Sequence, residues 1–180
     1  MNTNQNSAGY GRLSIGLHWL MVLLIVAVYA TIELKGNFPK GSEPRDLLKH
    51  WHFMLGLSVF ALVWLRILAR WLYPAPKALA GAAWEHGLAK LMHLALYGLM
   101  IGMPLLGWLL LSAEGKPIPF FGLELPALMG ANHAWAERFE ELHEAVGQAG
   151  YWLIGLHAVA ALGHHYVRRD GSLQRMLPRH

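Results

Sequence analysis

The chain has 180 residues, of which 55% are hydrophobic and only 14% are charged, whereas soluble domains carry about 25% charged residues. This deficit is spread over long apolar runs, so it excludes an ordinary soluble domain and indicates a multi-pass membrane protein. The formal net charge of +4 does not indicate nucleic-acid binding, because the basic residues lie at the ends of the apolar segments.

Four apolar segments predict four membrane-spanning helices, at about residues 13–34, 50–73, 87–112 and 142–167. A helix needs roughly 20 apolar residues to cross a bilayer, and each segment is long enough. The polar start of the chain lacks the basic region and cleavage site of a signal peptide, so we expect the first helix to remain as an anchor. The predicted fold class is an all-α membrane protein, a four-transmembrane-helix bundle that forms a single domain over residues 1–180.

The connecting segments are rich in glycine and proline. Residues 35–49 are predicted to form a loop, and the second helix is predicted to end before Pro74 and Pro76. Pro104 lies inside the third helix, where we expect a kink. Residues 113–141 form the longest predicted loop.

The distribution of Lys and Arg predicts the orientation in the membrane. With four spans, the two termini share one side with the connector between the second and third helices. That side carries nine of the 15 Lys and Arg residues, and cytoplasmic loops are the ones enriched in these residues. We therefore expect both termini to be cytoplasmic and the protein to lie in a bacterial inner membrane.

Histidines carry the strongest chemical signal, since 11 of them occur in this apolar chain. His143 and His157 lie 14 residues apart in the fourth helix. At about 100° and 1.5 Å per residue, both side chains leave the same face, roughly 21 Å apart along the axis. Imidazoles at these depths in a membrane usually have a function. Their stacking suits two haem irons, one above the other.

The topology supplies each of these histidines with a partner from another helix. His18 in the first helix lies at the depth of His157, and His52 in the second helix lies at the depth of His143. These four residues are the predicted axial ligands of two haems. An iron with two imidazole ligands has no open position, so it transfers electrons and does not bind oxygen.

Other histidines offer alternatives to this assignment. His50 lies two residues from His52 and faces the opposite way, so only one of them can be a ligand. Gly56, one turn after His52, allows a flat macrocycle to approach the backbone and favours His52. His93 in the third helix is the main rival ligand. A protein without haem, whose histidines bind another metal or relay protons, is a further alternative. The absence of cysteine excludes iron–sulfur clusters and covalently attached haem.

Haem propionates are anionic and need cationic partners where they are partly buried. Arg12 and Arg66 are the candidates at the cytoplasmic level, and Arg66 follows His52 by 14 residues on the same face. The candidates on the outer side are Lys35, Lys49 and Arg138.

Several motifs together resemble one known family. RLSIGLHW begins the first helix, HFMLG lies in the second, RILARWLYPAP ends it, and the fourth helix reads LHEAVGQAGYWLIGLHAVAALGHHY. The chain resembles bacterial cytochrome b561 from about Arg12 to the tail, and is most similar to the members that oxidise superoxide. The resemblance implies a four-helix membrane protein with two haems b, and its motif histidines fall on His18, His52, His143 and His157.

The resemblance also implies an activity. Superoxide outside the membrane would give its electron to the outer haem, and ubiquinone near the cytoplasmic haem would accept it. His164, the first histidine of the HHY motif, is the candidate quinone-site residue, and Lys77 is its possible cationic companion. The outer loop carries Lys35, Lys40, Arg45 and Lys49, which could attract an anion.

This reading needs membrane lipid and no protein partner. In the alternative reading, the same bundle is a subunit that passes electrons from a partner dehydrogenase or hydrogenase to quinone.

Overall fold

Four long helices dominate the computed structural model, which describes residues 9–73, 76 and 79–177. The helices are α1 (Arg12–Leu34), α2 (Glu43–Leu72), α3 (Ala83–Ala113) and α4 (His133–Gly163). Each contains a stretch long and apolar enough to cross a membrane. The predicted all-α membrane bundle is thereby confirmed.

Helices α2 and α4 begin earlier than their apolar runs predict. α2 begins at Glu43 with Pro44 in its first turn, where the missing proline N–H is not needed for an intrahelical bond. α4 begins at His133. Asn132 caps this helix, because its side chain accepts a 3.2 Å hydrogen bond from Trp135 N. These added turns are polar, so hydropathy alone does not reveal them. α3 continues as a helix through Pro104.

The predicted long loop contains a small hairpin, β1 (Ile118–Phe120) paired antiparallel with β2 (Leu123–Leu125). Its two-residue turn has positive φ at Phe121 (47°) and Gly122 (85°), as a type I′ turn requires. Ile118 is buried and clusters with Leu57 and Leu111. The hairpin therefore packs onto α2 and α3.

Hydrogen bonds fix the segment after the hairpin to α3. Trp108 Nε1 donates to Pro126 O at 3.0 Å, and Leu128 N donates to Ser112 Oγ at 3.0 Å. This segment is consequently an ordered cover on one end of the bundle.

Inside the bundle, α1 packs on α2, α2 on α3, and α3 on α4. Met21, Val59 and Val63 form a buried cluster between the helices. Large apolar side chains also point outward: Trp71 is 80% exposed and Trp152 is 82% exposed. Such side chains suit contact with lipid tails, which are as apolar as the core.

The two ends of the described chain meet at the same end of the bundle. Tyr10 N donates to Arg175 O at 3.2 Å, and Trp19 Nε1 donates to Met176 O at 2.8 Å. Beyond α4, residues His164–Arg168 form one π-helical turn, and Arg169 then adopts a left-handed conformation with φ of 54°. The chain thus folds back from α4 toward the start of α1. That this end is cytoplasmic stays a prediction.

Candidate functional site

The imidazoles of His52 on α2 and His143 on α4 face each other across the bundle. Their ring centroids are 6.2 Å apart and their planes differ by 77°. Two imidazoles bound on opposite sides of one metal ion, with metal–nitrogen bonds of about 2 Å, place their ring centroids about 6 Å apart. The observed spacing therefore fits a shared iron.

The ring of His52 is held in the orientation that a ligand needs. His52 Nδ1 donates to Val28 O of α1 at 3.0 Å, which leaves Nε2 unprotonated and free to bind a metal. Metal-bound histidines commonly donate their other ring N–H to a backbone carbonyl in this way. His50, by contrast, is exposed.

The ring of His143 lies against α3. A Cβ atom on Gly107 would be only 3.3 Å from His143 Cε1, so the glycine makes room for the ring. His143 Nδ1 is buried and makes no hydrogen bond of regular geometry in the described residues, although the ring interacts with the backbone of Met103. A buried ring nitrogen without a regular partner is unusual. It indicates a site that is completed by a bound group.

A cavity of about 580 Å³, called the outer cavity below, surrounds the rings of His52 and His143. Its volume is within the size range of cofactor pockets. Gly56, Gly107 and Gly147 all line this outer cavity. At Gly56 an added Cβ would meet nothing within 4 Å, so the backbone there is open to the cavity. The glycines, the paired imidazoles and the volume fit a flat macrocycle bound between α2 and α4.

Two tyrosines connect α1 to α4 beside the outer cavity. Tyr29 Oη donates to Gly147 O at 3.0 Å, and Tyr151 Oη donates to Glu33 Oε1 at 2.6 Å. The two rings are 4.2 Å apart between centroids. These contacts fix the wall of the cavity that faces α1.

The mouth of the outer cavity contains charges of both signs. The lysines that line it are Lys35, Lys49 and Lys116, and the lining acids are Glu33, Glu114, Glu140 and Glu144. Lys116 is paired with Glu114 at 2.8 Å. The predicted cationic entrance is therefore mixed, because the early turns of α4 bring acids close to the lysines.

Arg45 has a structural part in the loop between α1 and α2. Its Nη1 donates to Lys35 O and to Phe38 O, both at 2.9 Å. It ties the start of α2 to the end of α1 and keeps its positive charge there.

A second set of histidines lies toward the other end of the bundle. His18 on α1 interacts electrostatically with Arg66, His157 and His93, so all four helices contribute to this inner cluster. His157 lies 14 residues after His143 on α4, about 21 Å along the axis. The structure thus brings the predicted inner pair, His18 and His157, into one cluster.

His93 belongs to the same cluster. Its ring centroid is 5.7 Å from that of His157, and its Nδ1 donates to Ala89 O at 2.6 Å. The Nδ1 of His93 is therefore held by a backbone carbonyl, as the Nδ1 of His52 is. The inner cluster contains two possible partners for His157, and the assignment of His18 stays a prediction.

The cationic candidates for the propionates occupy different surroundings. Arg66 lies near the inner histidines and its Nε donates to Tyr97 Oη at 3.3 Å. Arg12 is exposed at the start of α1. Lys35 and Lys49 line the outer cavity, and Arg138 lies over the Trp135 ring at 5.3 Å.

His164 lies on the π-helical turn and is hydrogen-bonded to the C-terminal tail, residues 169–177. Its Nδ1 donates to Asp170 Oδ2 at 2.5 Å. Ser172 donates to Asp170 Oδ1 from both its backbone N (2.9 Å) and its Oγ (2.6 Å). Partial burial raises the pKa of Asp170, but the hydrogen bonds from His164 and Ser172 outweigh burial and bring it to about 2. Asp170 is consequently ionised at neutral pH.

An ion pair closes the space beside His164. Arg168 Nη1 contacts Glu85 Oε1 at 2.5 Å, and Glu85 Oε2 accepts a hydrogen bond from Ala82 N at 3.0 Å. The end of α4 is thereby joined to the start of α3. The other predicted quinone residue, Lys77, lies outside the described residues.

Sequence reasoning missed the partners of the predicted residues. Tyr97 could have been found, since it follows His93 by four residues and shares its helix face. Asp170 follows His164 by six residues, through the π-helical turn and the left-handed Arg169. No sequence periodicity predicts that contact.

Comparison with known proteins decides the family. The family described as "Prokaryotic cytochrome b561" matches residues 9–179. The chain belongs to this family. Cytochrome b561 homolog 1 of Escherichia coli (strain K12) is 36% identical over 171 residues, which cover 94% of this chain and 97% of the relative.

Two further relatives match over similar lengths. A protein of Yersinia pestis named probable superoxide oxidase CybB is 37% identical, with 94% of this chain and 96% of the relative covered. Cytochrome b561 homolog 2 of Escherichia coli is 30% identical, with 93% and 90% covered. This prokaryotic cytochrome b561 is thus a multi-pass bacterial membrane protein of an electron-transfer family whose cofactor is haem b.

Proposed function

We propose that this cytochrome holds two haems b, one between His52 and His143 and one between His18 and His157. The observation that carries the proposal is the pairing of His52 with His143 at 6.2 Å inside a cavity of about 580 Å³. The second haem is supported by the cluster of His157 with His18 and His93. Haem bound by two imidazoles exchanges electrons without binding oxygen.

The proposed reaction is the oxidation of superoxide and the reduction of ubiquinone. Two superoxide ions, one quinone and two protons give two dioxygen molecules and one quinol. The name of the Yersinia pestis relative supports superoxide as the donor. The location would be the inner membrane, with both termini cytoplasmic and the outer cavity facing the periplasm.

The residues of this chain have separate tasks in that reaction. Val28 O holds the His52 ring in place by a hydrogen bond. Gly107 leaves space for the ring of His143, because it has no side chain. The lysines Lys35 and Lys49 at the mouth would favour the approach of a small anion. Arg66, fixed by Tyr97, would bind a propionate at the inner site, and Arg12 would be an additional contact.

At the opposite end, His164 would donate a hydrogen bond and then a proton to the quinone. Lys77 is the proposed second contact of that site. Neither role requires a protein partner.

The test is stopped-flow mixing of the detergent-purified, oxidised protein with superoxide, followed in the haem absorption bands. We expect rapid reduction of the haem without any partner, and its abolition when superoxide dismutase is present. Ubiquinone added afterwards should re-oxidise the haem.

Two results would contradict the proposal. Protein that lacks a b-type spectrum would favour histidines that bind another metal or relay protons. A b-type protein that superoxide does not reduce would favour the alternative, a subunit that takes electrons from a partner dehydrogenase or hydrogenase.

A further inference from the structure

The strongest feature outside the two histidine clusters is the contact between His164 and the tail. The tail returns to α4 because Arg169 and Gly171 adopt positive φ values of 54° and 78°. This reversal places Asp170 beside His164, with Asp170 N donating to His164 O at 3.3 Å. The side-chain contact between Nδ1 and Oδ2 closes the same loop.

The orientation of His164 follows from this contact. Its Nδ1 proton is directed at a carboxylate, so Nε2 is the nitrogen left for another partner. The side chain of His164 is 39% exposed, whereas that of Asp170 is 21% exposed. The imidazole is therefore accessible while its carboxylate partner is shielded.

Charged groups on three elements surround the imidazole. Asp170 lies on the tail, Arg168 on the π-helical turn, and Glu85 at the start of α3, where Glu85 interacts electrostatically with His164. Arg168 and Glu85 neutralise each other in their ion pair. The neighbouring His165 packs its ring on Tyr166, 4.7 Å away. Among the described residues, Asp170 is thus the charged group that hydrogen-bonds His164.

We propose that Asp170 is a positioning residue, which fixes His164 through Nδ1 and leaves Nε2 to carry a proton to the head group of a reducible quinone. The proposal rests on the proposed function, because it assigns the proton donor of the same quinone site. A carboxylate that holds Nδ1–H fixes the tautomer of an imidazole and stabilises its protonated form.

The proton balance is simple. Reduction of one quinone to quinol takes two electrons, which arrive one at a time through the inner histidine cluster, and two protons. In each donation the Nε2–H bond of protonated His164 breaks and an O–H bond forms on the quinone. His164 then becomes neutral with its proton on Nδ1, and regains a proton at Nε2 from cytoplasmic water.

The test compares Asp170→Asn with wild type in the full-length, haem-loaded protein. Protein reduced with dithionite is mixed with a short-chain ubiquinone over a range of pH, so superoxide is not involved. In wild type, re-oxidation should slow as the pH rises, because quinone reduction consumes protons. In Asp170→Asn this slowing should begin at lower pH, and the rate at neutral pH should fall roughly tenfold.

A spectroscopic readout tests the contact without turnover. In NMR spectra of protein labelled with ¹⁵N-histidine, the signal that disappears in His164→Gln is assigned to His164. In the wild-type protein, that signal reports which ring nitrogen of His164 carries hydrogen. We expect a strongly hydrogen-bonded Nδ1–H in wild type, and its loss in Asp170→Asn.

Two variants separate positioning from a general effect on the fold. Asp170→Glu retains the charge and should restore most of the rate. Ser172→Ala removes one of the hydrogen bonds that hold the turn but keeps the carboxylate, so its pH profile should lie where the wild-type profile lies.

Three results would overturn the inference. The first is a wild-type pH profile in Asp170→Asn, and the second is an equal displacement of the profile in Ser172→Ala. Neither affects the proposed function. An unchanged re-oxidation rate in His164→Ala would overturn the quinone site and the inference together.

Discussion

At the scale of single residues, the inner cluster raises one question of ligand identity. His18 and His93 both lie near His157. We predict that His18→Ala removes one haem of two, because His18 lies on α1 at the depth of His157, whereas His93→Ala retains both. Haem content and the low-spin signal in electron paramagnetic resonance measure the outcome. Loss of a haem in His93→Ala but not in His18→Ala would assign the site to His93.

The outer site gives a second residue-scale prediction. His52→Ala should remove the outer haem and leave the inner one, since His52 is fixed by Val28 O and faces His143. His50→Ala is the matched control, because His50 is exposed two residues away. Haem content and the rate of reduction by superoxide should fall in the first variant and not in the second. A fall in the His50 variant would transfer the ligand role to His50.

The proposed quinone site gives a third prediction at the residue scale. His164→Ala should leave haem content and superoxide-driven reduction intact. It should slow re-oxidation by ubiquinone by roughly 100-fold, which is the lower end of a general-acid contribution. His165→Ala is the neighbouring control and should re-oxidise at the wild-type rate. Equal effects in the two variants would place the site elsewhere.

At the scale of elements, the contact between α1 and α4 depends on a glycine. A Cβ at Gly150 would collide with Tyr29 Oη and lie 3.3 Å from Leu99, and Tyr29 is itself bound to Gly147 O. Gly150→Ala should therefore destabilise the bundle by about 1–3 kcal/mol. The temperature of haem release in detergent measures this.

Gly98→Ala on α3 is the control for that variant, since an added Cβ there meets nothing within 4 Å. It should leave the release temperature unchanged or raise it slightly, because alanine favours helix. A release temperature for Gly150→Ala equal to that of Gly98→Ala would mean that Tyr29 moves aside freely.

The outer loop is the second element that can be tested. Changing Lys35, Lys40 and Lys49 together to Gln should slow superoxide-driven reduction by about 3- to 10-fold at low salt. The effect should shrink above 0.1 M salt, where charges are screened beyond about 10 Å. Arg45 is left in place because it binds two backbone carbonyls. A rate that does not depend on salt in either protein would show that the lysines do not attract the substrate.

The extent of sequence-based prediction differs between the helices and their surroundings. Apolar runs located four helices, and helical spacing placed His143 and His157 on one face of α4. The polar first turns of α2 and α4 were missed, because capping by Asn132 and proline tolerance in the first turn of α2 act outside the apolar segment. The hairpin at Ile118 was also missed, since its stability comes from packing on Leu57 and Leu111.

At the scale of the whole molecule, the bundle links two surfaces through two histidine clusters. α4 contributes one histidine to each cluster, and the 14 residues between them correspond to about 21 Å. The tail folds back to meet the start of α1, so the proposed proton donor His164 lies at the end opposite the outer cavity. Electron entry and proton-coupled exit would thus occur on opposite sides of the membrane.

The ratio of haem to protein tests this arrangement most directly. A pyridine haemochrome assay on purified protein, with the protein determined by quantitative amino-acid analysis, should give two haems b per chain. One haem per chain would leave one of the two histidine clusters without its proposed role, and no haem would contradict the account as a whole.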